Sequence, residues 1–383
     1  MRSELIKKFE DLKQENQVKL QRALDNGKKV VGLYCTYAPQ ELVLAAGAIP
    51  IGLCGTNEKP IPAAEKDLPR NLCPMVKSSY GFAATDTCPY FSAADMIIGE
   101  TTCDGKKKMF EIMNEIKYTH VMNMPQTPDA DSSRELWKDE LKKTKEVLEA
   151  KLGVRITEDS LREAIRTTNR EKRARKALYD LNKIKPAALS GTEMLKAAWL
   201  TTFSPDKNEV IEMISDFKNS LEELVSKGEC YGDENTPRIL LTGTPVGLGS
   251  EKVLTLVEEC GGNVVCSENC TGYKTVDIII PEDEERDVWD LLAESYMQIP
   301  CSVMSPNNKR LELIEKICND FQIDGVIDLT WQACHTYNIE SYQVEKKVKE
   351  DLNLPYLHIE TDYSNSDLQN LKIRIAAFLE MIK

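Results

Sequence analysis

Six of the twelve cysteines in this chain stand where a strand or helix signal gives way to a turn: Cys73, Cys88, Cys103, Cys270, Cys301 and Cys334. Their contexts are NLCPM, DTCPY, TTCDG, ENCTG, IPCSV and QACHT, each with Pro, Gly, Asp, Asn, Ser or Thr close by. Those residues mark backbone turns, whereas a packing cysteine occupies a periodic apolar position. Thiols on turns are presented to something, and a soft metal, iron foremost, is what they suit. The spacing matches no zinc-finger or ferredoxin pattern: Cys73, Cys88 and Cys103 follow one another at fifteen residues, and there is no C-x-x-C. Any metal site must therefore be assembled from thiols far apart in sequence. Zinc and iron-sulfur are not separated by spacing.

Three neighbouring features favour a redox cluster. Gly99, Gly105 and Gly272 permit close backbone approach, and amide groups of turns and helix starts can hydrogen-bond cluster sulfurs. The run Lys106, Lys107 and Lys108, directly after Cys103, can stabilise a thiolate. Cys230, Cys260, Cys266 and Cys318 read as residues of helix or strand interiors, with Cys266 pointing into the core. Cys35 and Cys54 each end an apolar strand and are reserve ligands.

The elements that must position these thiols follow from hydrophobic patterning. From Lys29 the order is strand KVVGLYC, helix PQELVLAAG, strand AIPIGLC, a Pro-rich stretch from Glu58 to Pro74, a short helix around Val76 to Phe82, and strand ADMIIGE. A helix KKKMFEIMNEI and a strand YTHVMNM come next. Apolar strands alternating with helices imply parallel sheets covered on both faces. From about Ser132 to Lys227 only helical periodicity is present, with Thr157 and Ser160 at a helix start and Gly153 at a helix stop. A second alternating series starts at Pro237: RILLTG, a helix from Glu251, NVVCSENC, VDIIIPE, a helix from Trp289 to Tyr296, FQIDGVIDLT, a helix after Tyr337, PYLHIET and a final amphipathic helix. The expected fold is α/β: two doubly wound, Rossmann- or flavodoxin-like parallel-sheet domains, 1–131 and 237–383, joined by a helical segment, 132–236. A cofactor shared in the cleft between them fits the strand-then-cysteine design of both halves.

Composition narrows the partners. A net charge of −13 argues against nucleic acid and acidic membranes. The N-terminus is a charged amphipathic helix without a signal-peptide core, and no apolar tract is long enough to span a bilayer. A cytoplasmic location is expected, where disulfides are rare. GTPVGLGSEK, from Gly243 to Lys252, lacks the Walker pattern and reads as a tight strand-to-helix turn lining the cleft. His120 and His358 fall in strands and read as satisfied core histidines.

The segments YCTYAPQELVLAAGAIPIGLC, KDLPRNLCPMVKSSYGF, GETTCDGKKKMFE, ENCTG, DGVIDLTWQACHTYNIES and LPYLHIETDYS resemble the 2-hydroxyacyl-CoA dehydratase / benzoyl-CoA reductase superfamily, most closely its double-cubane cluster proteins. The likeness runs in order over nearly the whole chain. The resemblance implies a 4Fe-4S cubane on Cys73, Cys103 and Cys334, with Cys88, Cys270 and Cys301 as ligands of a second cubane in an 8Fe-9S cluster. It also implies a homodimer, a separate ATP-hydrolysing 4Fe-4S activase as electron donor, and reduction of a small unsaturated molecule. Glu41, in the PQEL turn, matches a carboxylate near the substrate in the dehydratases, although a carboxylate there also suits the helix dipole. His335 is a proton donor to substrate or a hydrogen-bond donor to sulfur. The alternative activity is an (R)-2-hydroxyacyl-CoA dehydratase subunit with a single 4Fe-4S cubane. A zinc- or cluster-carrying scaffold is the non-enzymatic one.

Overall fold

Short runs of Val, Ile and Leu that are apolar on both sides, such as VVGL, MIIGE and GVIDLTW, can be buried only as inner strands. The computed structural model, which describes residues 2–382, arranges them in two four-stranded parallel sheets. The first has β1 (Val30–Leu33), β2 (Ile49–Gly52), β3 (Met96–Glu100) and β4 (Thr119–Met122) in the order β2-β1-β3-β4. The second repeats that order with β5 (Arg238–Gly243), β6 (Asn263–Glu268), β7 (Gly325–Trp331) and β8 (Tyr356–Thr361), as β6-β5-β7-β8. The central strands β1, β3, β5 and β7 are buried along their whole length. The chain is thus an α/β protein of two doubly wound sheets.

The strand order reverses between β1 and β3 and again between β5 and β7. Ligand crevices in such sheets open at the carboxyl ends of the strands at that switch. Between the sheets run four long helices, Asp131–Leu152, Glu158–Asp180, Gly191–Thr201 and Lys207–Ser226. Thr157 and Ser160 form a reciprocal capping box at the start of the second, and Gly153 ends the first at φ +68. The segment limits 1–131, 132–236 and 237–383 stand as a proposed division, and packing crosses it. Helix Val288–Tyr296 completes the core under the first sheet through Val288, Leu291 and Leu292. The N-terminal helix instead packs Ile6, Phe9 and Leu12 into the core of the second.

One expected strand is not formed. VDIIIPE carries no ladder: the Val276 and Asp277 amides turn back to the Tyr273 carbonyl, and Ile280 is satisfied sideways. The Asn169 amide donates to the Ile280 carbonyl at 2.8 Å and accepts from the Ile280 N–H at 3.1 Å. A buried side chain has taken the place of a neighbouring strand. His120 and His358 lie on the edge strands β4 and β8, half-buried and bonded to Thr144 and Thr330.

Candidate functional site

The carboxyl ends of both sheets open on one cavity of about 740 Å³. Its wall includes seven thiols: Cys35, Cys54, Cys73 and Cys103 from the first half, and Cys270, Cys301 and Cys334 from the second. The two halves are pinned around it by direct bonds. Thr56 donates to the Leu248 carbonyl at 2.8 Å, Tyr363 to that of Gly55 at 3.1 Å, and Tyr37 to that of Ile299 at 2.8 Å.

Local sequence explains how several of these thiols are aimed. Cys73, Cys103 and Cys334 are each the N-cap of a helix, Pro74–Ala84, Asp104–Ile116 and His335–Lys346. In Cys73-Pro74 the proline sits at the first helical position, where its missing N–H costs nothing, so the cysteine before it takes the cap. The Lys106 amide donates to Cys103 Sγ at 3.5 Å. A helix N-terminus also favours negative charge on such a sulfur. The helix expected after Tyr337 in fact starts at His335, because Cys334 caps it.

The thiols fall into two groups. Cys73 and Cys334 are hydrogen-bonded to each other, and Cys103 lies within electrostatic reach of both. The bond from Cys334, aided by the amides of Val76 and Met75, holds the Cys73 thiol below its usual range against burial. The same bond and burial push Cys334 up. In the second group Cys35 lies within electrostatic reach of Cys270 and Cys301. Burial pushes Cys35 well up and, with the neighbouring Cys270, pushes Cys301 to about 12. Cys54, within electrostatic reach of Lys106 and Cys270, is pushed by burial to about 11.

Of the lysine run after Cys103, only Lys106 reaches this site. Its ammonium donates to the Tyr34 carbonyl at 3.3 Å and lies 3.5 Å from Glu100 Oε2. Burial acts against its charge, but Cys35, Glu100, Cys54 and Cys103 together hold it well above the ordinary lysine range. Lys107 and Lys108 turn outward to Asp104 and Glu111. Beneath Cys270 and Cys301 a second cation, Lys274, is fully buried 2.8 Å from Glu268 Oε1 and 3.2 Å from the Tyr337 hydroxyl. Glu268 is also held by Arg310 at 3.2 Å. Lys106 thus lies within electrostatic reach of Cys35, Cys54 and Cys103, and Lys274 of Cys270 and Cys301, so both thiol groups face a buried cation. Sequence reasoning missed Lys274, because a lysine in GYKT carries no sign that it will be interior.

Cys88, expected among the ligands, is not on the cavity wall. It caps the short helix Pro89–Ala93 and neighbours Tyr34 and Tyr90. Glu41 is likewise behind the wall. It is fully buried, accepting from Thr168 at 3.0 Å and from the cavity-lining Tyr296 at 2.6 Å. His335 is exposed on the wall beside Cys334. Cys266 and Cys318 are buried, but Cys230 lies in a loop and Cys260 at a helix C-cap, neither in an element interior. Of Gly99, Gly105 and Gly272, only Gly105 lines the cavity. Gly99 and Gly272 serve chain packing: a Cβ at Gly272 would lie 2.1 Å from the Ser267 carbonyl oxygen. The GTPVGLGSEK turn contributes Thr244 and Pro245 to the wall.

The donor set fits an iron-sulfur group. Among the described residues no three His, Cys, Asp or Glu side chains converge on a single ion. A cluster spreads its thiolates, since each binds a different iron. Two thiol groups with amide donors and two buried cations suit such a group better than a lone zinc.

The far end of the cavity is cationic and aromatic. Glu171, only 4% exposed, is held by Lys207 at 2.9 Å and Arg175 at 2.7 Å. Burial works to raise its pKa, and the two cations overcome it, bringing the carboxyl from 4.5 to about 2. A depressed carboxyl stabilises the fold above its unfolded pKa, and that contribution is lost as pH falls from 4.5 towards 2. Glu171→Gln is expected to lower unfolding stability by about 3 kcal/mol at neutral pH. It should also flatten the acid limb over that window, as read by urea denaturation at a series of pH values.

A family model for the 2-hydroxyglutaryl-CoA dehydratase D-component matches residues 35–382. The Escherichia coli (strain K12) protein YjiM, provisionally named a dehydratase subunit, is 44% identical over 99% of this chain and 98% of its own. The (R)-phenyllactyl-CoA dehydratase beta subunit of Clostridium sporogenes is 26% identical over 93% and 92% of the two chains. A benzoyl-CoA reductase component of Thauera aromatica is 22% identical over 99% and 96%.

Proposed function

This chain belongs to the 2-hydroxyglutaryl-CoA dehydratase D-component family, within the dehydratase / benzoyl-CoA reductase superfamily, and from that membership we propose that it is an iron-sulfur reductase component. An 8Fe-9S double-cubane cluster, when bound, supplies low-potential electrons, more than one at a time, to a small unsaturated substrate. The electrons come from a separate ATP-hydrolysing 4Fe-4S activase. The reading includes a homodimer in a reducing cytoplasm. Among the described residues no helix is long and apolar enough to cross a membrane.

The observation that supports this reading most is the convergence of seven thiols from both halves, in two groups, on one cavity wall. Cys73, Cys103 and Cys334 would hold one cubane. Cys270 and Cys301 would hold the other together with Cys35, which takes the part expected of Cys88. Lys106 and Lys274 offset the negative charge that the thiolates bring into a low-dielectric site. His335, exposed on the wall, is the proton donor of this reading. Glu41 acts on the site through Tyr296, which it orients by a hydrogen bond.

A second reading, one 4Fe-4S cubane in an (R)-2-hydroxyacyl-CoA dehydratase subunit, is favoured by the names of the relatives. Iron and sulfide analysis of anaerobically purified protein separates the two. About eight irons per chain supports the reductase, about four the dehydratase subunit, and zinc in place of iron overturns both.

A further inference from the structure

We propose that the end of the cavity beneath helices Glu158–Asp180 and Gly191–Thr201 is a receptor for a small carboxylate anion, anchored by Lys172. Taken with the reductase reading, on which this last clause rests, the substrate is then a short unsaturated acid presented as its anion.

Lys172 lines the cavity with a side chain only 17% exposed. It forms a long ion pair with Glu41 Oε1 at 4.0 Å, beyond hydrogen-bond distance. That oxygen already accepts from Thr168, and the other carboxylate oxygen from Tyr296. Among the described residues the ammonium therefore has no hydrogen-bond partner, although it is largely withdrawn from water. A donor left in that state is costly unless something in the cavity accepts from it.

The surroundings add to the pull. Arg175 and Lys207 share the single carboxylate of Glu171 on the same wall, and Lys172 faces only Glu41 at 4.0 Å, so three cations meet two carboxylates. A surplus of positive charge between low-dielectric walls favours an anion beside it. Apolar surface is supplied beside them by Trp199 and Phe203, whose rings stand 5.5 Å apart, with Tyr90 stacked on Phe203 at 4.7 Å. One ammonium next to aromatic rings suits a monoanion with a short hydrocarbon body. A phosphate would call for several convergent donors, and Arg175 spends its donors on Glu171 and the Ala198 carbonyl.

Tyr296 links this end to the thiols. Its hydroxyl bonds Glu41 beside Lys172, and its chain continues along the wall to Cys301. A carboxylate held at Lys172 would direct the rest of a short acid along that wall.

The test uses propionate and its neutral isostere propionamide, neither of which reacts with thiols. Binding to the anaerobic, as-isolated protein is measured by calorimetry, with iron and sulfide counted on the same samples. Propionate is expected to bind about tenfold more tightly than propionamide, the worth of one charged hydrogen bond. Lys172→Met should bring the two within about twofold, and Lys172→Arg should restore the preference, with iron content unchanged in both. No preference in the wild type, or a preference that survives in Lys172→Met, overturns the receptor. Inorganic phosphate displacing propionate at equal concentration overturns the carboxylate assignment. A protein that prefers propionate but carries no iron keeps the receptor and sinks the reductase.

Discussion

Cys103→Ser is expected to take about half the iron from the anaerobically purified protein, from about eight to about four per chain, and to abolish substrate reduction. The substitution separates metal binding from folding. Cys103 caps helix Asp104–Ile116, and its sulfur accepts the Lys106 amide. Serine is among the best residues at that position, so stability should stay within about 1 kcal/mol of the parent. What disappears is a soft thiolate ligand beside Cys73 and Cys334. Full iron content and activity in this variant would remove Cys103 from the ligand set.

The second large effect concerns the other thiol group. Cys35→Ser should lower iron content as strongly as Cys301→Ser, whereas Cys88→Ser should leave both iron and reduction unchanged. Cys35 lies within electrostatic reach of Cys270, Cys301 and Lys106. Cys88 is absent from the wall those residues share. Iron loss in Cys88→Ser with none in Cys35→Ser would return Cys88 to the set and would require the short helix Pro89–Ala93 to move towards the cavity.

Much of the scaffold was legible in the residues alone. Patterns of period 2 and 3.6 are local, and runs such as MIIGE and RILLTG can be satisfied only as interior strands, which sufficed for two parallel sheets with helices between. VDIIIPE misled because its composition suits a strand, but its first amides close a turn onto Tyr273 and Asn169, more than a hundred residues earlier, takes up the backbone of Ile280.

The candidate site divides along the same line. That thiols stand on turns and helix starts was readable, since Cys-Pro and Cys-Asp-Gly carry their own capping signals. Which turns meet was not. Cys88 and Cys73 have nearly the same local context, yet one lies off the cavity wall near Tyr34 and Tyr90 while the other is hydrogen-bonded to Cys334. Lys106, Lys107 and Lys108 are the same residue three times over, and the rotation of one helix sends the first inward and the others to solvent. Sequence alone determined the element types, their order and the residues able to bind a soft metal, because these depend on neighbours along the chain. The tertiary structure decided which thiols share a wall and which lysines are buried with them, because burial and convergence are set by contacts between segments that the chain holds far apart.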